Sequence, residues 1–214
     1  MLKSIIIFAF LSLTFQVDQN IDYLKETQKW VDRVYKQIYG VGCKHTHTPA
    51  TRFEQIKTKK QINCAASASI TYQEAGLIDK GKLVSHTSAV HNNIISHYDV
   101  SDLKKSLQLS ISNYHNLKAG TCDLVKVMKK YHDLPSWLQK KGIMYIQDSN
   151  ICISAGEKKI YSCNSSDRTY SPSDVNPLRS SGYPFTSPIL WAVVPRTNGK
   201  SNVDQTTSLK HISC

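Results

Sequence analysis

A run of small side chains from Asn63 to Gly76 is the feature that most constrains what this chain can fold into. Asparagine is a favourable N-cap residue and glycine is a favourable residue just after a helix, so we predict a helix between them. Its expected packing face consists of Ala65, Ala68, Tyr72 and Ala75. Because these side chains are mostly small, we expect neighbouring elements to approach the helix closely.

Cys64 stands at the first position of this predicted helix. The backbone N–H groups of a first helical turn have no partners within the helix, and they lie at the positive end of the helix dipole. Both effects favour a thiolate over a thiol. If the protein is an enzyme, we therefore expect Cys64 to be its nucleophile.

The N-terminal residues have the pattern of a secretory signal. Lys3 precedes an apolar run from Ile5 to Phe15, which is too short to span a bilayer comfortably. We interpret residues 1–17 as a signal peptide and predict a secreted, extracellular protein. An uncleaved anchor is the alternative, because no Ala-x-Ala cleavage site precedes Asp18. Charges or prolines break every later apolar run, so we expect no stable membrane insertion by the rest of the chain.

Size and charge narrow the range of functions. A length of 214 residues with 40% hydrophobic and 20% charged residues fits one globular domain. The formal net charge is +11, and its basic residues are spread along the chain. Such a surface suits an anionic partner, although a basic surface that interacts only with solvent fits equally well. Secretion and the lack of interleaved aromatic and basic residues argue against a nucleic-acid partner. We expect the protein to be a monomer.

Six cysteines lie in the expected mature chain: Cys43, Cys64, Cys122, Cys152, Cys163 and Cys214. In an oxidising compartment an even number favours disulfides, and six cysteines can pair completely in fifteen ways. A disulfide at Cys64 is the structural alternative to a nucleophile there, and a free Cys64 requires a second unpaired thiol. Cys152 and Cys163 fall on two arms of a predicted hairpin, where they form either a cross-strand disulfide or two buried thiols.

The order of the predicted elements indicates an α+β domain, with N-terminal helices packed on a C-terminal antiparallel sheet. Apolar residues recur at helical spacing from Asp22 to Tyr39, which predicts a helix before the one that Cys64 begins, and a third helix is predicted from Ser101 to Leu109. Between the first helix and Cys64, residues 43–61 are polar and irregular, which predicts a surface loop.

The second half of the chain has the pattern of short strands separated by turns. Strands are predicted at Leu124 to Met128, Ile143 to Ile146, Ile151 to Ser154, Lys159 to Ser162 and Ile189 to Val194. A hairpin turn is predicted at Ala155 to Lys158. Residues 196–214 are polar and predict a flexible tail, unless a disulfide at Cys214 holds them.

Two segments of this chain together resemble the NlpC/P60 superfamily of papain-like cysteine amidases and peptidases. The first is Ile62-Asn63-Cys64-Ala65, continuing to Gln73-Glu74-Ala75-Gly76-Leu77, and the second runs from Asn150 to Ser162 through the hairpin. That family begins its core with a helix of the form Asp-Cys-Ser-x-x-Val and later carries a hairpin of the form His-Val-Gly-Ile-Tyr-x-Gly-x-Gly. The resemblance covers Trp30 to Val194 and implies a papain-like domain at residues 18–195.

The resemblance also implies roles for particular residues. In such enzymes a helix-borne thiolate attacks an amide carbonyl, a histidine on the facing strand carries the proton, and a third polar residue orients the imidazole. Cys64 falls on the nucleophile position and Ser162 on the orienting position. The position of the histidine falls on Asn150, which departs from the family pattern.

Because Asn150 stands where the family pattern has a histidine, catalysis would require a histidine from another position to carry the proton. Five histidines follow Cys64 in the chain: His86, His91, His97, His115 and His132. Of these, His86 lies nearest the stretch just after the Cys64 helix that borders the cleft in relatives. His45 and His47 have the spacing of a metal site, but no third ligand follows at a recognisable spacing, so no metal or other cofactor is expected.

Two functions follow from these expectations. The first is a secreted hydrolase that cleaves an amide bond in peptidoglycan stem peptides, with Cys64 as nucleophile and peptidoglycan or another anionic wall polymer as partner. The second is a catalytically inactive protein of the same fold that binds or supports structure, with Asn150 in place of the histidine.

Overall fold

The computed structural model describes residues 20–84, 116–147, 150–157, 159–161, 175–177 and 189–214. The predicted signal peptide at residues 1–17 and the predicted helix from Ser101 to Leu109 lie outside these ranges. No helix in the described part of the chain is both long enough and apolar enough to cross a membrane.

The described residues contain three α-helices and nine strands. The helices are α1 (Tyr23–Gly40), α2 (Gln55–Lys59) and α3 (Cys64–Glu74). The strands are β1 (Lys44–His45), β2 (Gln61–Ile62), β3 (Cys122–Lys129), β4 (Met144–Ile146), β5 (Ile151–Gly156), β6 (Lys159–Tyr161), β7 (Val175–Pro177), β8 (Ile189–Pro195) and β9 (His211–Ser213). Two 3₁₀ turns, Tyr131–Asp133 and Ser136–Gln139, connect β3 to β4.

Seven strands form one sheet in the order β7-β6-β5-β4-β8-β3-β9, and every neighbouring pair is antiparallel. The hairpin between β5 and β6 turns at Gly156 and Glu157, whose φ angles are +78° and +50°. Glycine adopts such angles without a steric penalty, which explains why the turn falls where the sequence predicts it. The mixture of helices with an antiparallel sheet confirms the α+β class.

Helix α1 lies within one residue of its predicted bounds. Asp22 caps it by accepting a hydrogen bond from the backbone N–H of Lys25 at 2.9 Å. Val31, Val34 and Ile38 are fully buried, so the apolar stripe packs against the core as the spacing predicts.

Helix α3 is buried on all sides, and the prediction of a single packing face is wrong. Every residue from Ala66 to Gln73 is buried, whereas Ala65, which belonged to the predicted face, is partly exposed. The phenol of Tyr72 anchors the helix to the sheet: its hydroxyl lies 3.0 Å from the carbonyl oxygens of Gly142 and Val193 and accepts from the N–H of Met144 at 3.1 Å. Small side chains allow this close approach from several directions.

The surface loop predicted for residues 43–61 is also wrong. This segment contains β1, α2 and β2, and Cys43, Ala50 and Ile56 are fully buried. Strands β1 and β2 pair in parallel, with His45 opposite Ile62. Its buried residues are too few and too irregularly spaced to give a helical or strand pattern in the sequence.

The C-terminal residues are held to the sheet. Cys214 forms a disulfide with Cys122, and strand β9 pairs with β3 at the edge of the sheet. This corresponds to the alternative in which Cys214 holds the predicted tail. Cys152 is unpaired, so a disulfide between Cys152 and Cys163 is wrong, and Cys163 itself lies outside the described residues.

Candidate active site

The first turn of α3 is fixed from both sides by Asn63. Its side-chain Oδ1 accepts a hydrogen bond from the N–H of Ala66 at 2.9 Å, which confirms the predicted N-cap. Its Nδ2 donates to the carbonyl oxygen of Thr46 at 3.1 Å, and Thr46 directly follows β1. One amide therefore ties the start of the Cys64 helix to the β1 segment.

Cys64 lies against the start of β5. The backbone N–H groups of Ile151, Ala65 and Cys64 itself hydrogen-bond to the sulfur and favour its thiolate form. Burial has the larger effect and raises the pKa of the Cys64 thiol above its ordinary value. The expectation of an activated thiolate is therefore wrong in direction, because the desolvation of the sulfur outweighs the contribution of the N–H groups at the helix start.

A raised pKa changes what the site needs for catalysis. At neutral pH the sulfur keeps its proton, so attack on a carbonyl requires a base that removes the proton as the bond forms. Cys64 remains partly exposed, whereas the other free cysteines in the described ranges, Cys43 and Cys152, are buried. Cys64 is thus the one of these three residues that is partly open to solvent.

Asn150 directly precedes the N–H that contacts Cys64, and its side chain is fully buried. The N–H of Gln147 donates to the carbonyl oxygen of Asn150 at 2.9 Å, which closes the turn between β4 and β5. Gln147 is buried as well, so two amide side chains lie at this turn. An amide can orient a neighbour by hydrogen bonding, but it does not accept a proton at neutral pH.

Two hydroxyl groups connect the start of α3 to α1. The Ser67 hydroxyl donates to the carbonyl oxygen of Cys64 at 3.0 Å and accepts from the Tyr35 hydroxyl of α1 at 3.0 Å. The Tyr35 ring stacks on Tyr161 of β6, with centroids 4.1 Å apart and planes 13° apart. The Cys64 turn is therefore held by α1 and by the β5–β6 hairpin together.

The two remaining free thiols have different surroundings. Burial raises the pKa of Cys43 to about 11, although the positive charge of Lys60 partly opposes it. Burial and the nearby Cys64 raise the pKa of Cys152 further. Cys152 belongs to the buried cluster on the far face of the sheet, while Cys64 packs on the face that α3 covers. Neither buried thiol has the access that a nucleophile requires.

His45 and His47 lie on the segment that Asn63 holds. Their ring centroids are 6.1 Å apart and the rings are nearly perpendicular. In the described part of the chain no group of three histidine, cysteine or acidic side chains is placed to hold a metal ion. His45 and His47 thus lie close to each other, but no third ligand lies beside them among the described residues.

Of the four predicted site residues, Cys64 lies against Ile151, the residue that follows Asn150, whereas Ser162 and His86 lie outside the described residues. The sequence did not predict that His45 lies on the strand next to the one that leads into Cys64. A paired strand of two residues has no periodic signal, so only the structure reveals it.

Comparison with known proteins adds no relative: no family model, no curated protein and no solved structure matches the chain. The fold and the candidate site alone define the class, which is an α+β protein with a partly exposed free cysteine at a helix N-terminus that packs on an antiparallel sheet.

Proposed function

We propose that the protein is a secreted cysteine hydrolase of the NlpC/P60 kind, with a papain-like fold, that cleaves an amide bond in peptidoglycan stem peptides. One observation carries the proposal: Cys64 begins a capped helix and its sulfur lies against the first N–H of β5, next to Asn150. Cys64 and Asn150 are 86 positions apart in the sequence, and the contact of the Cys64 sulfur with the N–H that follows Asn150 supports this proposal.

The backbone at the start of α3 is suited to the chemistry. The N–H groups of Cys64 and Ala65 face the sulfur, while the N–H of Ala66 is already bonded to Asn63. The first two groups can donate to the oxyanion that forms when sulfur adds to a carbonyl. Removing one such donor in a protease costs about 10²- to 10³-fold in rate, so this contribution is large.

Basic side chains near the site support an anionic substrate. Lys44, Lys57, Lys59 and Lys60 are all exposed on β1, on α2 and on the residue that follows it, which leads into β2 and Cys64. Peptidoglycan stem peptides and the polymers attached to the wall carry negative charge, so these lysines would increase the local concentration of such a substrate.

An inactive binding protein is the second candidate, and two observations favour it. Asn150 is an amide where the family pattern has a histidine, and burial raises the pKa of Cys64. A protein of this kind would use the same basic face to bind the wall without cleaving it.

Release of amines from purified peptidoglycan distinguishes these functions. We expect the wild-type protein to release amines and Cys64→Ala to lose at least about 10³-fold of that rate, because removing a nucleophile removes the covalent route. Cys152→Ala is the matched control, since it deletes a buried thiol on the other face of the sheet and should retain activity. Equal rates for the wild type and Cys64→Ala would remove the hydrolase and leave the binding protein.

A further inference from the structure

The parallel pairing of β1 and β2 brings a histidine towards the nucleophile. His45 pairs with Ile62, two residues before Cys64, and the N–H of Thr46 donates to the carbonyl oxygen of Ile62 at 3.0 Å. Residues paired in register point to the same side of a parallel ladder. Since Ile62 is fully buried, the His45 side chain lies on the inner side, and it is partly buried while Lys44 is exposed.

The Asn63 side chain fixes this arrangement. Its Nδ2 donates to the carbonyl oxygen of Thr46, and its Oδ1 accepts from the N–H of Ala66. These two hydrogen bonds tie the residue after His45 to the helical turn that begins at Cys64. Paired strands lie about 4.8 Å apart and consecutive Cα atoms about 3.8 Å apart, so chain geometry keeps the His45 and Cys64 Cα atoms within about 12 Å.

Charged side chains flank the paired strands. Lys44 on β1, Lys57 and Lys59 on α2 and Lys60 after it are basic, and Glu54, which precedes α2, is acidic. The first turn of α3 and the first residues of β5 carry no charged side chain and no histidine. These two segments therefore supply no base of their own for Cys64.

We propose that His45 is the base that serves Cys64, in the role that Asn150 cannot fill. This inference rests on the proposed hydrolase function. His45 is a catalytic residue because it exchanges protons with the reacting sulfur, the leaving amine and the water.

The proton balance of the reaction is complete with these two residues and water. The Cys64 S–H proton passes to His45, directly or through one water molecule, while the sulfur bonds to the amide carbon. The C–N bond breaks, and the amine leaves with the proton that His45 returns, which produces a thioester. His45 then takes a proton from water, the hydroxide attacks the thioester carbon, and the C–S bond breaks. His45 returns the proton to sulfur, and the product is a carboxylic acid.

The test compares His45→Gln with His47→Gln, its matched control on the same segment. We expect His45→Gln to lower amine release by about 10²- to 10⁴-fold, the usual contribution of general acid and base catalysis. His47→Gln should keep most of the activity, since His47 is exposed and its position is not fixed opposite Ile62. Added imidazole should restore part of the activity of His45→Ala, because a small base can then enter the space left by the ring.

Alkylation of Cys64 by iodoacetamide gives a second readout that needs no substrate. In the wild type we expect the rate at neutral pH to exceed that of His45→Gln, with mass spectrometry assigning the label to Cys64. If Cys64-dependent amine release persists in His45→Gln and disappears in His86→Gln, His86 is the base and this inference is wrong while the hydrolase remains. If Cys64→Ala is as active as the wild type, the hydrolase itself fails, and His45 fails with it.

A direct modification covers the case in which His45→Gln does not fold. Diethyl pyrocarbonate acylates histidines of the wild-type protein, and peptide mapping separates His45 from His47. We expect the loss of activity to follow modification at His45. Activity that survives full modification of His45 would overturn the assignment.

Discussion

Cysteines at the edge of the sheet form a disulfide, whereas the cysteine on the face that α3 covers keeps a free thiol. At the edge, Cys122 and Cys214 form a disulfide that joins β3 to the last residue of the chain. On the face covered by α3, Cys64 stays unpaired and partly exposed, and it packs against the apolar cluster that includes Ile151 of β5. One pair of cysteines therefore crosslinks the fold, whereas Cys64 keeps a free thiol.

This difference shows that an even number of cysteines does not decide their use. The edge pair lies where two strand ends meet, with the N–H of Cys214 donating to the carbonyl oxygen of Cys122 at 3.1 Å. Cys64 and Cys43 belong to the same face and both are free, while Cys152 belongs to the cluster on the opposite face. The edge disulfide therefore stabilises the fold without using any of these three thiols.

Removing the edge disulfide should produce the largest change in stability. The bond spans a sequence separation of 92 residues. We expect Cys214→Ser to lower the free energy of unfolding by about 2–5 kcal/mol, because the unfolded chain gains the conformations that the crosslink excluded. Urea unfolding measures the change. Below the unfolding transition, amine release should match the wild type; a parallel loss of activity would show that the two regions are not separate.

Tyr72→Phe should have the next largest effect, by loosening α3 from the sheet. The substitution leaves the buried N–H of Met144 and the carbonyl oxygens of Gly142 and Val193 without the hydroxyl that they share. We expect a loss of about 1–3 kcal/mol in urea unfolding. The control is Tyr161→Phe, which retains the ring stacked on Tyr35 and should cost less. Equal losses in the two variants would contradict an anchoring role for the Tyr72 hydroxyl.

Asn63→Ala should have a smaller effect on stability but a clear effect on the site. Loss of an asparagine N-cap costs typically about 1 kcal/mol. Asn63→Asp keeps the acceptor for the N–H of Ala66, so its cost in stability should be less. Both variants lose the bond from Nδ2 to Thr46, and both should lower amine release. If Asn63→Asp keeps full activity, the bond to Thr46 does not matter to the site.

Much of the fold was predictable, because long elements leave regular patterns. Helix α1 has a helical stripe of apolar residues, α3 has an asparagine cap and a glycine stop, and the β5–β6 hairpin has its glycine turn. Five of the strands also lie where short apolar runs predict them.

The parts that the sequence did not reveal depend on contacts between distant segments. β1, β2 and β9 are two or three residues long and exist because a partner strand is present. The pKa of Cys64 depends on how deeply the packing of α3 against β5 buries the sulfur. The position of Cys64 at a helix start predicted a lowered pKa, whereas burial raises it. The helix start at Cys64 and its Asn63 cap were therefore predictable, but the surroundings of Cys64 were not.

Stoichiometric alkylation of the Cys163→Ser protein tests most directly whether Cys64 is the reactive thiol. This background removes the cysteine outside the described residues, and Cys43 and Cys152 are buried thiols whose pKa values are raised by burial. At pH 8 we expect iodoacetamide to add once, at Cys64, and amine release to fall in proportion to the added mass. Faster labelling at Cys43 or Cys152, or full activity in the protein labelled at Cys64, would contradict the account.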